Sequence, residues 1–269
     1  MEIIKSKKSL LQELNGVNVA LVPTMGALHK GHASLVERAL KENSKVVVSI
    51  FVNPLQFGAN EDLSKYPKTA KEDEKILKEL GVHYLYSPTV SDVYNDGFDS
   101  IVRVQNFARG VLCDVFRPNH FDGVLTVVLK LFNQIRPVRA YFGEKDFQQL
   151  VLIKKMVKDL DLGVEIIPCP IVREENGLAM SSRNQYLSNA EKKLAGEIYN
   201  SMVRVRKDIS LLNKEKQRLI ALGFNKIDYF EIRNEEDFSL VSKKEDIKKA
   251  RIFFAGFLNK TRLIDNMGL

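Results

Sequence analysis

Short β-branched runs alternate with longer amphipathic stretches through the first two-thirds of the sequence, and this alternation restricts the fold more than any other feature. Apolar runs occupy residues 17–22, which end at Pro23, then 45–51 (KVVVSIF), 82–86, 138–142 and 164–167. Runs of this length, bounded by turn residues, read as buried strands. Between them, apolar residues recur at helical spacing over 33–40, 63–80, 122–135 and 147–160. The second of these stops at Gly81 and the third is closed by Pro137, both helix-end signals. The opening MEIIKSKKSLLQEL reads as the start of an amphipathic helix, and it lacks the features of a secretory signal. Strands alternating with helices imply a parallel sheet with crossover helices, so the expected N-terminal domain is a Rossmann-like α/β sheet. Ligands of such sheets bind beyond the carboxyl ends of the strands.

After residue 171 the texture changes. Polar helices are expected at 190–209 and 214–222, followed by alternating runs at 226–233, 251–258 and 262–264. This pattern predicts a smaller α+β domain with an antiparallel sheet, dividing the chain into 1–171 and 172–269. With 45% hydrophobic and 28% charged residues in 269, the chain resembles an ordinary globular protein with enough length for a core. No apolar run reaches membrane-spanning length. Cys113 and Cys169 are far apart and form no metal-type spacing, which fits a reducing, cytoplasmic setting. The net charge of +7 admits nucleic acid, a membrane surface or anionic small substrates. The basic residues at 204–218 and 243–251 are interleaved with acids and accompanied by few aromatics. They read as solvated helix faces, against a nucleic-acid partner.

Four polar clusters each follow one of the expected strands. The first, PTMGALHKGH at 23–32, leads into a helix. His29 and His32 are three residues apart, so in a first helical turn they share a face, and Gly31 lets a ligand approach the backbone. A helix N-terminus supplies unsatisfied N–H groups and a positive dipole end. Two imidazoles there can also donate to phosphoryl oxygens as charge builds in a transition state. The bland alternative is a pair of surface histidines, but the chain has only four and two lie in this turn. The second cluster, SIFVNPLQF at 49–57, turns at Asn53-Pro54. Asn53 and Gln56 bring neutral amides that donate and accept, suited to hydroxyls and carboxylates; the alternative is a capped turn without a ligand.

In the third cluster, YFGEKDFQQ at 141–149, Lys145 can meet phosphate as a point charge. Asp146 can accept from a ribose hydroxyl, and Gln149 falls one helical turn further on the same side. A surface Lys-Asp pair is the plainer reading. The fourth couples Val172-Arg173 to GLAMSSRN at 177–184, where Ser181, Ser182 and Arg183 can make a polar nest for a polyphosphate. Its place at the domain boundary suits a loop that closes over a nucleotide; a helix N-cap without a ligand is the alternative.

An HxGH turn after the first strand is the signature of the nucleotidyltransferase superfamily, and it resembles the HIGH motif of class I tRNA synthetases. The loop around Ser181 resembles the KMSKS loop of related adenylating enzymes. Taken in order, PTMGALHKGH, SIFVNPLQFG, RPNHFDGV, YFGEKDFQQ and GLAMSSRN closely resemble the pantoate–β-alanine ligase (pantothenate synthetase) family over residues 17–190, with a further match in RLIDN at 262–266. The resemblance implies ATP-dependent joining of (R)-pantoate to β-alanine through a pantoyl adenylate. It also implies Mg²⁺ held mainly by the ATP phosphates rather than by a protein metal site, and a homodimer.

Carried onto matching positions, the resemblance implies ATP contacts from Met25, Gly26, Ala27, Leu28, His29, Lys30, Gly31 and His32, and from Gly143, Glu144, Lys145 and Asp146. Val172 would meet adenine, and Met180, Ser181, Ser182 and Arg183 the phosphates. His29, His32, Lys145 and Arg183 are the implied catalytic groups, with His32 acting as a hydrogen-bond donor to developing charge rather than as a literal acid. Gln56 and Gln149, with Asn53, would hold pantoate and β-alanine. Lys30, Leu55 and Asn119 depart from the family's usual acidic residue, Met and Gly. His120 is left between a ligand contact and a role in orienting the following helix, and no functional residue is assigned over 190–269. Two other readings stay open. One is a nucleotidyltransferase making a dinucleotide or CDP-alcohol, against which the two glutamines count. The other is a non-enzymatic RNA-binding or nucleotide-sensing protein.

Overall fold

The computed structural model describes residues 1–58, 63–67, 69–241 and 249–269. In chain order its strands are β1 (Glu2–Ile4), β2 (Ala20–Thr24), β3 (Val46–Ile50), β4 (Tyr84–Tyr86), β5 (Arg139–Gly143), β6 (Glu165–Cys169), β7 (Lys226–Asn234), β8 (Ala250–Leu258) and β9 (Thr261–Gly268). Its helices are α1 (Lys7–Glu13), α2 (Lys30–Glu42), α3 (Ala70–Glu79), α4 (Val90–Val93), α5 (Cys113–Phe116), α6 (His120–Ile135), α7 (Phe147–Asp159), α8 (Asn189–Ala195), α9 (Glu197–Lys207) and α10 (Leu212–Ala221). Two compact units result. One comprises Met1–Gln105, Arg117–Glu144 and Gln149–Pro170; the other comprises Asn106–Phe116, Lys145–Gln148 and Ile171–Leu269.

In the first unit β1 to β6 form a parallel sheet in the order β1-β4-β3-β2-β5-β6. Leu21 and Val22 on β2 and Val46, Val47 and Val48 on β3 are fully buried, as strands covered on both faces must be. Leu35, Val36 and Ala39 of α2 and Leu77 of α3 pack onto this apolar layer. From β2 the chain steps outward through β3 to β4, then returns to lay β5 on the other side of β2. The strand order therefore reverses between β2 and β5, the place where open α/β sheets bind ligands. Helix α6 buries 13 of its 16 residues, so it lies inside the unit rather than on its surface.

In the second unit β7, β8 and β9 form an antiparallel sheet in that order. Ile198, Met202 and Val205 of α9 and Leu219 of α10 share a core with Phe230, Ile232 and Phe254. Phe254 meets Phe224 and Phe230 edge-on at 5.7 Å, a geometry aromatic quadrupoles favour. Within the basic run at 204–218, Arg204 and Arg218 pair with Glu197 and with buried Glu215. The run at 243–251 lies outside the described residues except for its last three. No helix among the described residues is long and apolar enough to cross a membrane.

Four local expectations need correction. The N-terminus begins with β1, paired to β4 at the sheet edge, before the helix starts at Lys7. β2 continues through Pro23 to Thr24; β5 pairs with β2 only at Ala20 and Leu21, so beside Pro23 no ladder bond is lost on that side. The helix expected at 63–80 is a 3-10 turn, Leu63–Lys65, followed by α3. Pro67 separates them, since the residue before a proline is pushed out of the helical region; residue 68 lies outside the described residues. The helix expected at 190–209 breaks at Gly196, where a Cβ would stand 2.7 Å from the Asn176 carbonyl oxygen.

Candidate active site

β2 ends in a turn with an unusual backbone. Gly26 and Ala27 both take positive φ, 83° and 51°. The Thr24 hydroxyl donates to the Ser49 carbonyl (2.9 Å) and accepts from the Gly26 N–H (3.3 Å), fixing the turn to the end of β3. The Ala27 and Leu28 N–H groups donate to the two oxygens of Asp73, at 3.0 and 2.7 Å. His29 is the N-cap of α2, and its Nδ1 accepts from the Gly31 N–H at 3.1 Å. That bond places the His29 proton on Nε2, on the opposite side of the ring. The rings of His29 and His32 lie 4.0 Å apart, so the turn does bring the two imidazoles together. Lys30 is exposed.

Asn53 and Gln56 sit on the 3-10 turn after β3, and both are buried. Every hydrogen-bonding position of the Asn53 amide is used inside the protein. Its Oδ1 accepts from the Leu55 N–H (3.3 Å) and the Tyr94 hydroxyl (2.8 Å). Its Nδ2 donates to Gln56 Oε1 (3.2 Å) and to the Gly123 carbonyl (3.1 Å). A side-chain amide has no further capacity, so Asn53 is an internal brace of the Gln56 turn. The Asn53 bond orients the Gln56 amide: Oε1 accepts from Asn53 Nδ2, and Nε2 donates one N–H to Met25 Sδ at 3.1 Å. Burial pushes the Tyr94 hydroxyl well above the ordinary phenol range, which keeps it a donor.

Helix α6 holds the same turn from the other side. His120 Nδ1 lies 2.9 Å from the Gln56 carbonyl, and His120 Nε2 lies 2.9 Å from Arg117 Nη1. A guanidinium only donates, so Nε2 accepts and Nδ1 carries the proton given to Gln56. His120 therefore grips the Gln56 turn. Gly123 allows the helix to come this close: a Cβ there would stand 2.3 Å from the Leu55 carbonyl oxygen.

At the end of β5, Gly143 has open space where a Cβ would be. Lys145 and Asp146, in the second unit, approach at 3.7 Å. Asn266 Nδ2 donates to the Lys145 carbonyl at 2.8 Å, so β9 seats the backbone that carries the lysine. The following glutamines divide their work. Buried Gln148 donates to the Ala108 and Val111 carbonyls and accepts from the Cys113 N–H. Gln149 belongs to the first unit and is partly exposed.

The loop at 172–184 is held from beneath. The Met180 N–H donates to the Val172 carbonyl at 3.0 Å. Arg173 makes a two-pronged pair with buried Asp265 at 2.6 and 3.0 Å, donates to the Gly177 carbonyl and lies 4.4 Å over the Tyr199 ring. Burial pushes the Asp265 carboxyl upward against the pull of the Arg173 hydrogen bonds and charge. Ser181 caps the next turn, its hydroxyl accepting from the Arg183 N–H at 3.3 Å, and Asn184 ties that turn to the Ala179 carbonyl. Ser182, Arg183 and Met180 are partly exposed beside it.

Sequence reasoning missed Asp73, Tyr94, Asp265 and Asn266. Asp73 and Tyr94 stand outside every cluster at a strand end, and only the fold returns them to one. Asp265 and Asn266 lay in a stretch already marked by its family likeness, RLIDN, which was the available signal. Among the described residues no three His, Cys, Asp or Glu side chains converge into a cation cage.

The sequence model of the family described as pantoate-beta-alanine ligase matches residues 1–268. The chain is 46% identical over 274 residues to the pantothenate synthetase of Caldicellulosiruptor bescii, covering 98% of this chain and 96% of that one. It is 47% identical over 263 residues to that of Rhodospirillum rubrum, covering 94% and 92%. Pantothenate synthetase from Thermus thermophilus superposes with a TM-score of 0.95 at 41% identity, over 100% of this chain and 99% of that one. The pantoate-beta-alanine ligase from Francisella tularensis, solved with beta-gamma ATP and beta-alanine, superposes at 0.87 with 37% identity, over 99% and 97%.

Proposed function

The chain belongs to the pantoate-beta-alanine ligase family, and from that premise we propose how its residues divide the reaction. The protein is an ATP-dependent carbon–nitrogen ligase that joins (R)-pantoate to β-alanine, giving pantothenate, AMP and pyrophosphate. A pantoate carboxylate oxygen attacks the α-phosphorus and the bond to pyrophosphate breaks. The β-alanine amine then attacks the acyl carbon of the pantoyl adenylate, loses a proton, and AMP leaves. Such chemistry asks a protein mainly for positioning and charge stabilisation.

Met25, Gly26, Ala27, Leu28, Lys30 and Gly31 line the nucleotide. His29 and His32 donate to phosphate oxygens as negative charge develops, a role supported by their ring contact and by the His29 proton on Nε2. Gly143 and Glu144 pass along the nucleotide, Asp146 accepts from the ribose, Lys145 meets phosphate and the Val172 backbone meets adenine. Met180, Ser181, Ser182 and Arg183 hold the polyphosphate. Gln56 and Gln149 hold pantoate, and Gln56 also stands near β-alanine. The observation that carries the substrate assignment is the amide of Gln56, oriented by Asn53 at Oε1 and by Met25 at Nε2, with a second Nε2 N–H and an Oε1 lone pair that suit the carboxylate and hydroxyl groups of a hydroxy acid.

We assign residues 1–171 to nucleotide and pantoate and 172–269 to the smaller domain that carries the phosphate loop. Mg²⁺ fits as a companion of the triphosphate, bound through its oxygens, where it neutralises charge. A homodimer in the cytoplasm completes the proposal. The test is pyrophosphate–ATP exchange with (R)-pantoate present and β-alanine absent. Exchange that depends on pantoate is expected; no exchange and no pantothenate on adding β-alanine would return the chain to the wider nucleotidyltransferases.

A further inference from the structure

Asp73 is a buried carboxylate that the reaction as described does not use. It lies in the first turns of α3 with 2% of its surface exposed, and it faces the turn that follows β2. Oδ1 accepts from the Leu28 N–H at 2.7 Å; Oδ2 accepts from the Ala27 N–H at 3.0 Å and from the Thr69 hydroxyl at 3.1 Å. Thr69 is the residue from which α3 starts. The turn has the form of an anion receptor, because positive φ at Gly26 and Ala27 brings successive N–H groups to one side. In many helix N-terminal sites a phosphate occupies such a concavity. Here the chain fills it with its own carboxylate. Position 26 must also be bare, since a Cβ would stand 3.0 Å from Asp73 Oδ2 and 3.1 Å from Ile50 Cγ2. The next residue after the two held amides is His29, the N-cap of α2, whose ring lies 4.0 Å from that of His32 and is tilted against it.

We propose that Asp73 is a positioning residue for the two histidines: an internal anion that locks the Ala27 and Leu28 amides, fixes where α2 begins and thereby aims both imidazoles. The proposal rests on the assignment of those imidazoles to the phosphates. It carries a consequence for the nucleotide. With both amides engaged by Asp73, the phosphates are met at this turn by imidazole donors rather than by the backbone nest. Asp73→Asn tests the lock with almost no change of volume. The substituted amide brings an NH₂ where an oxygen accepted, so one of the two backbone N–H groups faces a donor instead of an acceptor.

The experiment compares wild type, Asp73→Asn, Asp73→Ala and His32→Ala in pantoate-dependent pyrophosphate–ATP exchange, with KM for pantoate and thermal midpoint measured on each. Asp73→Asn is expected to lower the maximal exchange rate by about 10- to 100-fold, the penalty of small misplacement of reacting groups, with KM for pantoate changed by less than about 2-fold. Formate is small enough to rest against the two amides. It is expected to restore part of the rate of Asp73→Ala and none of the rate of His32→Ala. A wild-type rate in Asp73→Asn overturns the proposal. So does an Asp73→Ala rate that formate leaves unmoved in a folded protein. Failure of wild type to exchange at all would overturn the pantoate reading instead. Imidazole NMR then decides the Asp73 proposal alone: displaced His29 and His32 ring resonances in Asp73→Asn uphold it, and unchanged ones overturn it.

Discussion

Replacing Gly123 by alanine adds one methyl group at the point where α6 touches the Gln56 turn. That methyl would lie 2.3 Å from the Leu55 carbonyl oxygen, 2.5 Å from its carbon and 2.7 Å from the Gln56 nitrogen. Ordinary contact begins at 3.4 Å, and all three atoms are backbone, so the turn must retreat by about 1 Å. Two effects on stability oppose each other. Alanine gains about 1 kcal/mol in helix propensity, while overpacking costs about 1–3 kcal/mol. The net loss of roughly 0–2 kcal/mol leaves the protein folded. The effect on catalysis is larger, because Gln56 moves with its turn, and a displacement of about 1 Å costs on the order of 100-fold in rate. Exchange measured against pantoate concentration should therefore fall about 100-fold in kcat/KM, while the thermal midpoint drops by at most several degrees. A folded Gly123→Ala protein with full exchange activity would refute the claim that α6 sets the position of Gln56.

Three further outcomes are expected. His32→Ala should depress the adenylation rate far more than pantoate affinity, and an unchanged rate would remove His32 from the transition state. Tyr94→Phe leaves Asn53 Oδ1 with only the Leu55 N–H among these two partners. Losing one such bond is worth about 1 kcal/mol, so pantoate efficiency should fall about 5-fold in exchange kinetics, and no change would cut Tyr94 out of the Gln56 support. The third concerns acid. Burial acts upward on the carboxyls of Glu197 and Glu215. Hydrogen bonds from Asn200 and Arg218 on the first, and from Arg204 and Ser201 on the second, outweigh it and leave both below 4.5. Groups depressed in the folded state stabilise above their unfolded value and lose that contribution as pH falls through the folded one. Urea midpoints of wild type should thus decline below about pH 4.5, and Glu215→Gln should decline less steeply; parallel curves would contradict this.

How much of this was legible in the sequence depends on the length of chain each feature needs. β3 and α6 were legible because a buried strand and a buried helix each impose a pattern over many residues. β1 was not, since three residues beside a strong helical pattern carry no period of their own. Pro23 misled in the other direction: proline ends a central strand only where its missing N–H had a partner, and the extent of β5 is not written in β2. His29, His32 and Gln56 were legible as residue types with unusual neighbours. The supports were not. Asp73 lies 46 residues from Ala27, and Tyr94 lies 41 from Asn53, and no local pattern ties an acid or a phenol to a distant turn. Asn53 shows the limit most clearly, because its residue type suits a ligand contact as well as an internal brace. Only the count of its four bonds decides between them.

The bond from Asn266 to the Lys145 carbonyl spans 121 residues of sequence, and that separation orders events during synthesis. Domains fold as units while the chain emerges, N-terminal parts first. The six parallel strands are all made once Cys169 has left the ribosome, so the turn bearing His29 and His32 can form on a growing chain. Lys145 belongs to the other unit, and its carbonyl meets Asn266 only after β9 has been translated. The order of synthesis therefore makes every strand beside the histidine turn available before the partner that seats the lysine exists.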